Sequence, residues 1–283
     1  MLTFSTARRL NDFVTCTMED GLNFIATSND IIIMRNMYVN CRTWEENEMK
    51  LFYELAHQFY QIDDSTGLFL DLGANIGTTG IYFTKKLTPN LKLLAFEPDP
   101  ENFKLLRANL ILNDLEEKTV AENFGLGVEK SEQVMYRMPK NPGSNGMYTN
   151  LFLEDAPTEM IKIIQLDKYF AEKNLAAADI KYIWIDTEGF EPQVLLGMKN
   201  LLTENPAPIF MEFNPHLWKK SGFYEKMMEL LVPLYSSYIF VPELVRSKKI
   251  NVYPLEKLWE FQSTPSHKHT GDIFLIKNLS EVI

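Results

Sequence analysis

The chain has 283 residues, of which 46% are hydrophobic and 23% are charged, proportions that exclude a disordered, collagen-like or coiled-coil protein. Its 28 basic and 38 acidic residues give a formal net charge of −10, which disfavours broad binding to nucleic acid. No apolar run reaches the roughly 18 residues that a membrane span needs, and the start of the chain lacks a signal-peptide pattern.

The two cysteines, Cys16 and Cys41, form neither a metal-ligand spacing nor a disulfide framework. We interpret them as reduced thiols, which predicts a cytoplasmic protein.

Residues 1–61 are predicted to form a small β/α extension. Three apolar runs separated by polar turns predict short strands, at residues 13–18, 22–26 and 31–34. Thr43, followed by Glu46 three residues later, has the spacing of a capping box and predicts the start of a helix with an aromatic face. Because this segment is too small to bury a core alone, we expect it to pack on a domain formed by residues 62–283.

From residue 68 onward, apolar strands alternate with amphipathic helices. About seven strands are predicted, over residues 68–72, 91–96, 119–124, 180–186, 208–213, 236–241 and 272–277, with a further strand at 133–138. Asp99 with Pro100 predicts a capped helix start between them. The alternation predicts an α/β fold with a mostly parallel sheet and helices on both faces. Ligands bind beyond the carboxyl ends of the strands in such sheets.

A glycine-containing loop follows the first of these strands. Gly73 and Gly77 allow a sharp turn into a helix, whose free N–H groups suit a carboxylate or phosphate. Glu97 ends the next strand, where its carboxylate can accept hydrogen bonds from two ribose hydroxyls. The loop and the strand-end acid together predict a nucleoside cofactor; the alternative is a tight turn without a ligand.

The spacing within this loop helps to choose the cofactor. Asn75 and Thr78 occupy two of the three glycine positions of the dinucleotide fingerprint G-x-G-x-x-G. Asp71 precedes the first glycine and could hold an ammonium group, while the following amides meet a carboxylate. S-adenosylmethionine has both groups and no pyrophosphate, so it is the predicted cofactor.

The motifs together resemble the FkbM family of S-adenosylmethionine-dependent methyltransferases. The resemblance runs from about Trp44 to Asn214, and the motifs that carry it cover residues 71–77, 95–103, 166–167 and 185–191. It implies a Rossmann-like seven-stranded sheet and O-methylation, often of sugars or natural products. Carried over, the cofactor-site residues are Asp71, Gly73, Asn75, Gly77 and Glu97. After the third strand the chain departs from the usual family pattern, which leaves the adenine contact open between Asn123 and Phe124.

Acidic side chains follow the fourth and fifth strands. Asp186 is the first candidate for orienting the cofactor or the acceptor, with Glu188 and His216 as candidate bases for a hydroxyl proton. Glu191 could instead cap a helix, and His216 could be an ordinary loop histidine. A metal site formed by Asp186, Glu188, Glu212 and His216 is a further alternative, but no ligand spacing marks it, so no metal is predicted.

The predicted function is methyl transfer to a hydroxyl of a small-molecule or glycan acceptor, with no nucleic-acid partner and a homo-oligomer left open. Residues 141–146 form a loop that could be a lid over the acceptor or an ordinary surface loop. Tyr148 and Trp218 could stack on the acceptor or pack in the core. Two other functions stay open: a nucleotide-dependent dehydrogenase or epimerase, and a non-catalytic binding module on the same fold.

Overall fold

The strands alternate along the chain with short helices. In a computed structural model of the protein, the described residues are 8–10, 12–138, 140–148, 156–262 and 270–278. The strands are Arg8–Leu10 (β1), Phe13–Thr17 (β2), Asn23–Thr27 (β3), Leu68–Leu72 (β4), Lys92–Phe96 (β5), Thr119–Glu122 (β6), Gly125–Leu126 (β7), Ser131–Tyr136 (β8), Thr158–Ile164 (β9), Ile180–Ile185 (β10), Ile209–Phe213 (β11), Tyr235–Phe240 (β12), Tyr253–Pro254 (β13) and Gly271–Lys277 (β14).

The α-helices flank these strands. They are Ile33–Asn40 (α1), Glu46–Phe59 (α2), Thr78–Tyr82 (α3), Pro100–Leu112 (α4), Leu166–Lys173 (α5), Glu191–Gly197 (α6), Lys199–Glu204 (α7), Pro215–Ser221 (α8), Tyr224–Leu231 (α9), Val241–Ser247 (α10) and Leu258–Gln262 (α11). A π-helical turn over Phe83–Leu87 continues α3. None of the described helices is both long and apolar enough to cross a bilayer.

A central sheet of eight strands in the described residues has the order β13-β12-β14-β11-β10-β4-β5-β6. The five strands from β11 to β6 are parallel, and β14 is antiparallel to both of its neighbours. The predicted α/β, Rossmann-like and mostly parallel sheet is confirmed. The sheet has eight strands and not the predicted seven. The additional strand, β13, is only two residues long, so its sequence has no periodic pattern that predicts a strand.

Both faces of this sheet are covered, because successive residues of a strand point to opposite sides. On β10, Tyr182 and Trp184 face the core that contains α2, whereas Ile183 and Ile185 face the core that contains α5 to α9. A strand buried on both faces must be apolar throughout, which explains the continuous hydrophobic run that predicted β10.

A second small sheet has the order β7-β9-β8. The predicted strand at 133–138 corresponds to β8, but β9 was not predicted. Its sequence does carry the period-two pattern of a half-buried strand, with Ile161 and Ile163 buried and Lys162 exposed between them.

Two local predictions in the N-terminal segment are wrong. Residues 31–34 do not form a strand, because Asp30 Oδ1 accepts hydrogen bonds from the Ile32 and Ile33 amides and the chain then enters α1. The capping box at Thr43 is also absent. Thr43 Oγ1 is buried and has no partner among the residues that the structure describes, and α2 follows Glu45, whose φ of 57° is left-handed.

Helix α2 completes the core on one face of the sheet. The Phe52 ring lies within 6.1 Å, centroid to centroid, of five aromatic rings, those of Phe83, Tyr182, Trp184, Phe210 and Phe274. Just after the helix, the Tyr60 hydroxyl donates to Leu275 O at 2.8 Å and accepts from the Lys277 amide at 3.0 Å. The helix is therefore joined to the central sheet through apolar packing and through hydrogen bonds to β14.

Deleting residues 1–61 should consequently yield a destabilised or aggregating protein. Loss of a buried phenylalanine side chain alone costs about 3–5 kcal/mol, a large share of the stability of a typical domain. Thermal unfolding of residues 62–283, beside the full chain and its Phe52→Ala variant, tests this. An unchanged melting temperature for the shortened chain would show that the extension is dispensable.

Candidate active site

A cavity of about 290 Å³ lies at the carboxyl ends of the parallel strands. Its lining includes the loop after β4, the ends of β5, β10 and β11, and the start of β14. Residues 141–146 form another wall. This is the edge of the sheet at which the sequence predicts a ligand.

The loop between β4 and α3 brings backbone to the cavity. Gly73, Asn75 and Gly77 all have left-handed φ angles, of 96°, 49° and 87°. A Cβ atom on Gly73 would lie only 1.8 Å from the carbonyl oxygen of Asp186, so this glycine lets the loop pass directly against the chain after β10. Gly73 and Asn75 line the cavity, whereas Gly77 packs beneath it, where a Cβ would meet Leu106 at 2.5 Å.

Glu97 lines the same part of the cavity. Its Oε2 accepts a hydrogen bond from the Asn75 amide and its Oε1 accepts one from the Asp99 amide, each at 2.8 Å. Burial raises the pKa of Glu97 to about 8, against the lowering effect of these amides. The Asn123 side chain donates to the backbone carbonyls of Glu97 and Pro98, so Asn123 positions this segment without lining the cavity.

Asp71 is placed differently from the predicted ammonium ligand. It lies within β4, is 1% exposed and is absent from the cavity lining. Its carboxylate packs against the Gly80 backbone in α3, where a Cβ would lie 2.7 Å from Asp71 Oδ2. Burial raises its pKa to about 7. The structure therefore brings Gly73, Asn75 and Glu97 together at the cavity, with Asp71 behind the loop.

The turn after β10 is organised by Glu191. Its Oε1 accepts from the Thr187 amide and hydroxyl, each at 2.9 Å, and from the Gly189 amide at 3.2 Å. Its Oε2 accepts from Trp218 Nε1 at 2.6 Å. These bonds hold a turn in which Glu188 has a left-handed φ of 52°. Glu191 thus supports the turn that carries Glu188 toward the cavity.

Asp186 and Glu188 line the cavity together with Glu212. Burial is the main cause that raises the pKa of Asp186 to about 7, and the Glu191 charge adds to it. Burial and the charges of Asp186 and Glu191 raise the pKa of Glu188 well above its usual range. Burial and four neighbouring acids raise the pKa of Glu212 to about 11.

Three other predicted residues lie outside the cavity. His216 is exposed on α8. Trp218 is fully buried and donates its Nε1–H to Glu191. The Tyr148 hydroxyl accepts a hydrogen bond from Gln193 at 2.7 Å. The tryptophans that do line the cavity are Trp44 and Trp184. In the described part of the chain, no group of three or more His, Cys, Asp and Glu side chains has a metal-binding arrangement.

The wall formed by residues 141–146 is attached to the start of α4. Asp99 caps α4 by accepting from the amides of Glu101 and Asn102, as predicted. The same carboxylate pairs with Arg137, with Nε to Oδ2 at 2.7 Å, and accepts from Asn145 Nδ2 at 3.1 Å. One buried acid therefore connects the start of α4 to residues 141–146.

Two acids at the site were not predicted. Glu45, just before α2, and Asp272, at the start of β14, also line the cavity. Because β14 is antiparallel to β11, its beginning lies at the carboxyl edge of the sheet. The position of Asp272 at the start of the final strand could therefore have predicted its place in the site. The sequence around Glu45 contains no comparable pattern.

Comparison with known proteins identifies the family. The profile of the methyltransferase FkbM domain matches residues 71–240, more than half of the chain. The chain belongs to the FkbM methyltransferase family. The resemblance drawn from the motifs is therefore confirmed, and the loop, Glu97 and the turn after β10 all lie inside the matched segment.

Named relatives of this FkbM-family chain come from fungi and a bacterium. Methyltransferase sdnD of Sordaria araneosa is 36% identical over 192 residues, which cover 59% of this chain and 72% of that protein. Methyltransferase 1 of Beauveria bassiana is 28% identical over 155 residues, and 2-O-methyltransferase NoeI of Sinorhizobium fredii is 29% identical over 151. The alignment with each of the latter two covers 48% of this chain and 59% of the relative.

Only some of the acids that line the cavity lie within the segment matched by the FkbM domain. Asp186, Glu188 and Glu212 lie inside residues 71–240, whereas Glu45 and Asp272 lie outside them. The segments flanking the family domain therefore contribute their own acids to the site.

Proposed function

We propose that this protein is an S-adenosylmethionine-dependent methyltransferase that acts on a hydroxyl group of a small-molecule or glycan acceptor. The observation that carries the proposal is a single cavity that joins the Gly73 loop and Glu97 to the acids Asp186 and Glu188. The name of the relative NoeI, a 2-O-methyltransferase, supports oxygen as the acceptor atom.

Several of the lining residues fit this cofactor. Glu97 keeps carboxylate lone pairs for ribose hydroxyls after accepting two amides, since each oxygen has accepted one bond. Asn75 Oδ1 is buried and has no partner in the described part of the chain, which is explained if a ligand donates to it. Phe124 and Leu126 supply an apolar wall for adenine. When bound, the cofactor supplies an activated methyl group on a sulfonium.

Two of the lining acids, Asp186 and Glu188, fit the acceptor. In-line methyl transfer depends mainly on placing the nucleophile close and aligned in a dry pocket. Asp186 is fixed by its amide, which donates to Leu72 O at 3.0 Å, and by the Gly73 backbone packed against it. Its carboxylate can orient a hydroxyl, and Asp186 or Glu188 can accept the proton that this hydroxyl loses.

Screening the protein with methyl-labelled cofactor against sugar, glycan and natural-product acceptors tests the proposed activity. Calorimetric titration with S-adenosylmethionine and with NAD separates it from dehydrogenase or epimerase chemistry. Binding of NAD but not of S-adenosylmethionine would overturn the proposal, and cofactor binding without turnover on any acceptor would favour the non-catalytic module.

Replacing Glu97 by Ala should weaken binding of S-adenosylhomocysteine by about 1.5–3 kcal/mol, the usual value of hydrogen bonds to a charged group. Titration calorimetry measures the loss. Glu122→Ala is the matched control, because Glu122 ends the adjacent strand β6 but does not line the cavity. Equal affinities for wild type and Glu97→Ala would show that this acid is not in the cofactor site.

A further inference from the structure

Three acids form a row across neighbouring strands at the cavity. Glu212 on β11 and Asp272 on β14 are direct cross-strand partners. Ile185 pairs with Met211, so Asp186, the next residue after β10, continues the row beside Glu212. Like charges directly opposite each other destabilise a sheet. A row of this kind is explained if a ligand supplies positive charge.

The described lining of the cavity gives this row no counter-charge. No lysine, arginine or histidine lies among the cavity-lining residues in the described ranges. Glu212 Oε2 is buried and has no hydrogen-bond partner among the described residues. A fourth acid, Glu45, joins the row from the segment before α2, and its pKa is raised by burial and by the charges of Asp186 and Asp272. A buried carboxylate oxygen without a partner points to a donor supplied by a ligand.

The proposed cofactor can balance the charge of only one of these acids when they are ionised. S-adenosylmethionine has a sulfonium, an ammonium and a carboxylate, which sum to a single positive charge. Apart from Glu97, five ionisable acids among the described residues line the cavity, Glu45, Asp186, Glu188, Glu212 and Asp272. The remaining acids must hold protons or meet a second cation.

We propose that the acceptor is an amino alcohol or amino polyol whose ammonium group is bound by Glu45, Glu212 and Asp272. This inference rests on the proposed function. Asp186 and Glu188 act on the acceptor hydroxyl there, and the other three acids bind the ammonium group of the same acceptor. Trp44 lines the same cavity, and aromatic side chains attract cations. Since Glu45 and Asp272 lie outside the matched family domain, this preference would belong to the flanking segments of this chain.

The acids around the cavity also predict how binding of the acceptor ammonium group depends on pH. The acids that face the ammonium position or one another are Glu45 just before α2, Glu48 on α2, Asp186, Glu188 and Glu191 after β10, Glu212 on β11 and Asp272 on β14. Residues 141–146 carry no charge. Burial and the charges of Asp186 and Glu48 raise the pKa of Asp272 to about 7. Because a cation favours the ionised acids, its binding should release protons and strengthen as the pH rises from about 6 to 8.

The test compares amines with matched alcohols on the full chain saturated with S-adenosylhomocysteine. The probes are glucamine against sorbitol and ethanolamine against ethylene glycol, titrated by calorimetry and by tryptophan fluorescence. We expect each amine to bind at least tenfold more tightly than its alcohol at pH 8, with a smaller ratio at pH 6. Equal binding, or tighter binding of the alcohols, would overturn the proposal.

Substitutions of single acids show which residues produce the preference for amines. Glu212→Gln and Asp272→Asn should each reduce the amine preference by about tenfold while S-adenosylhomocysteine affinity stays within a few-fold of wild type. Glu229→Gln, an exposed acid on α9, should change neither. An amine preference that persists in both cavity variants would overturn the assignment to this row. Failure of wild type to bind S-adenosylhomocysteine would instead count against the proposed function, and circular dichroism shows whether each variant is folded.

Discussion

Asp186→Asn is expected to lower methyl-transfer turnover by roughly a hundredfold or more, the usual scale for losing positioning or acid–base help. The fold should survive, because the backbone amide still donates to Leu72 and the side chain keeps its size. Affinity for S-adenosylhomocysteine should change little. In wild type, turnover should rise with pH through about 7, where burial places the pKa of Asp186, and this rise should be lost in the variant.

The alternative for Asp186 is a structural role at the start of the following turn. That role predicts a loss of about 1 kcal/mol in stability with turnover largely intact. Melting temperature, cofactor affinity and turnover measured on the same Asp186→Asn protein separate the two. Normal turnover in a destabilised variant would remove Asp186 from the reaction.

Gly73→Ala should be the most damaging small substitution in the cofactor loop. A left-handed φ costs a residue with a Cβ about 1–2 kcal/mol. Moving the Asp186 backbone away from a Cβ at 1.8 Å should cost about 1–3 kcal/mol more, as overpacking does elsewhere. Cofactor binding should fall as well, because the two segments that shift both line the cavity. Chemical denaturation and calorimetry measure the two effects.

Gly222→Ala is the matched control for this prediction. Gly222 also has a left-handed φ, of 73°, but a Cβ there would have no atom within 4 Å. Its loss should therefore be limited to the backbone term of about 1–2 kcal/mol, with cofactor affinity unchanged. Equal losses for Gly73→Ala and Gly222→Ala would show that the close approach to Asp186 is tolerated.

The fold was predictable from the sequence wherever a pattern is local and repeated. The apolar runs of β4 and β10 and the Asp99–Pro100 helix start have their expected positions, because burial on both faces and an N-cap each dictate residue types directly. The prediction at residues 31–34 failed because a single capping acid, Asp30, outweighed a run of β-branched residues.

The site was predictable in part for a different reason. Gly73, Glu97 and Asp186 directly follow parallel strands, so their shared location follows from topology. Glu45 could not be found in this way, because it reaches the cavity only through the packing of α2 on the sheet. Asp71 was expected at the ligand from its place in the motif, but the alternation of β4 points its side chain beneath α3.

The contact between β3 and α4 covers an open edge of the N-terminal sheet, which matters when the protein is concentrated. Asn109 and Asn113 each donate to and accept from the backbone of β3, at Ile25 and Asn23 respectively, with distances of 2.7–3.1 Å. Their amide groups thus stand in for the peptide groups of a missing neighbouring strand. An open strand edge is a template for pairing with another chain. Two asparagines on a helix therefore protect this edge against intermolecular β-pairing without any additional strand.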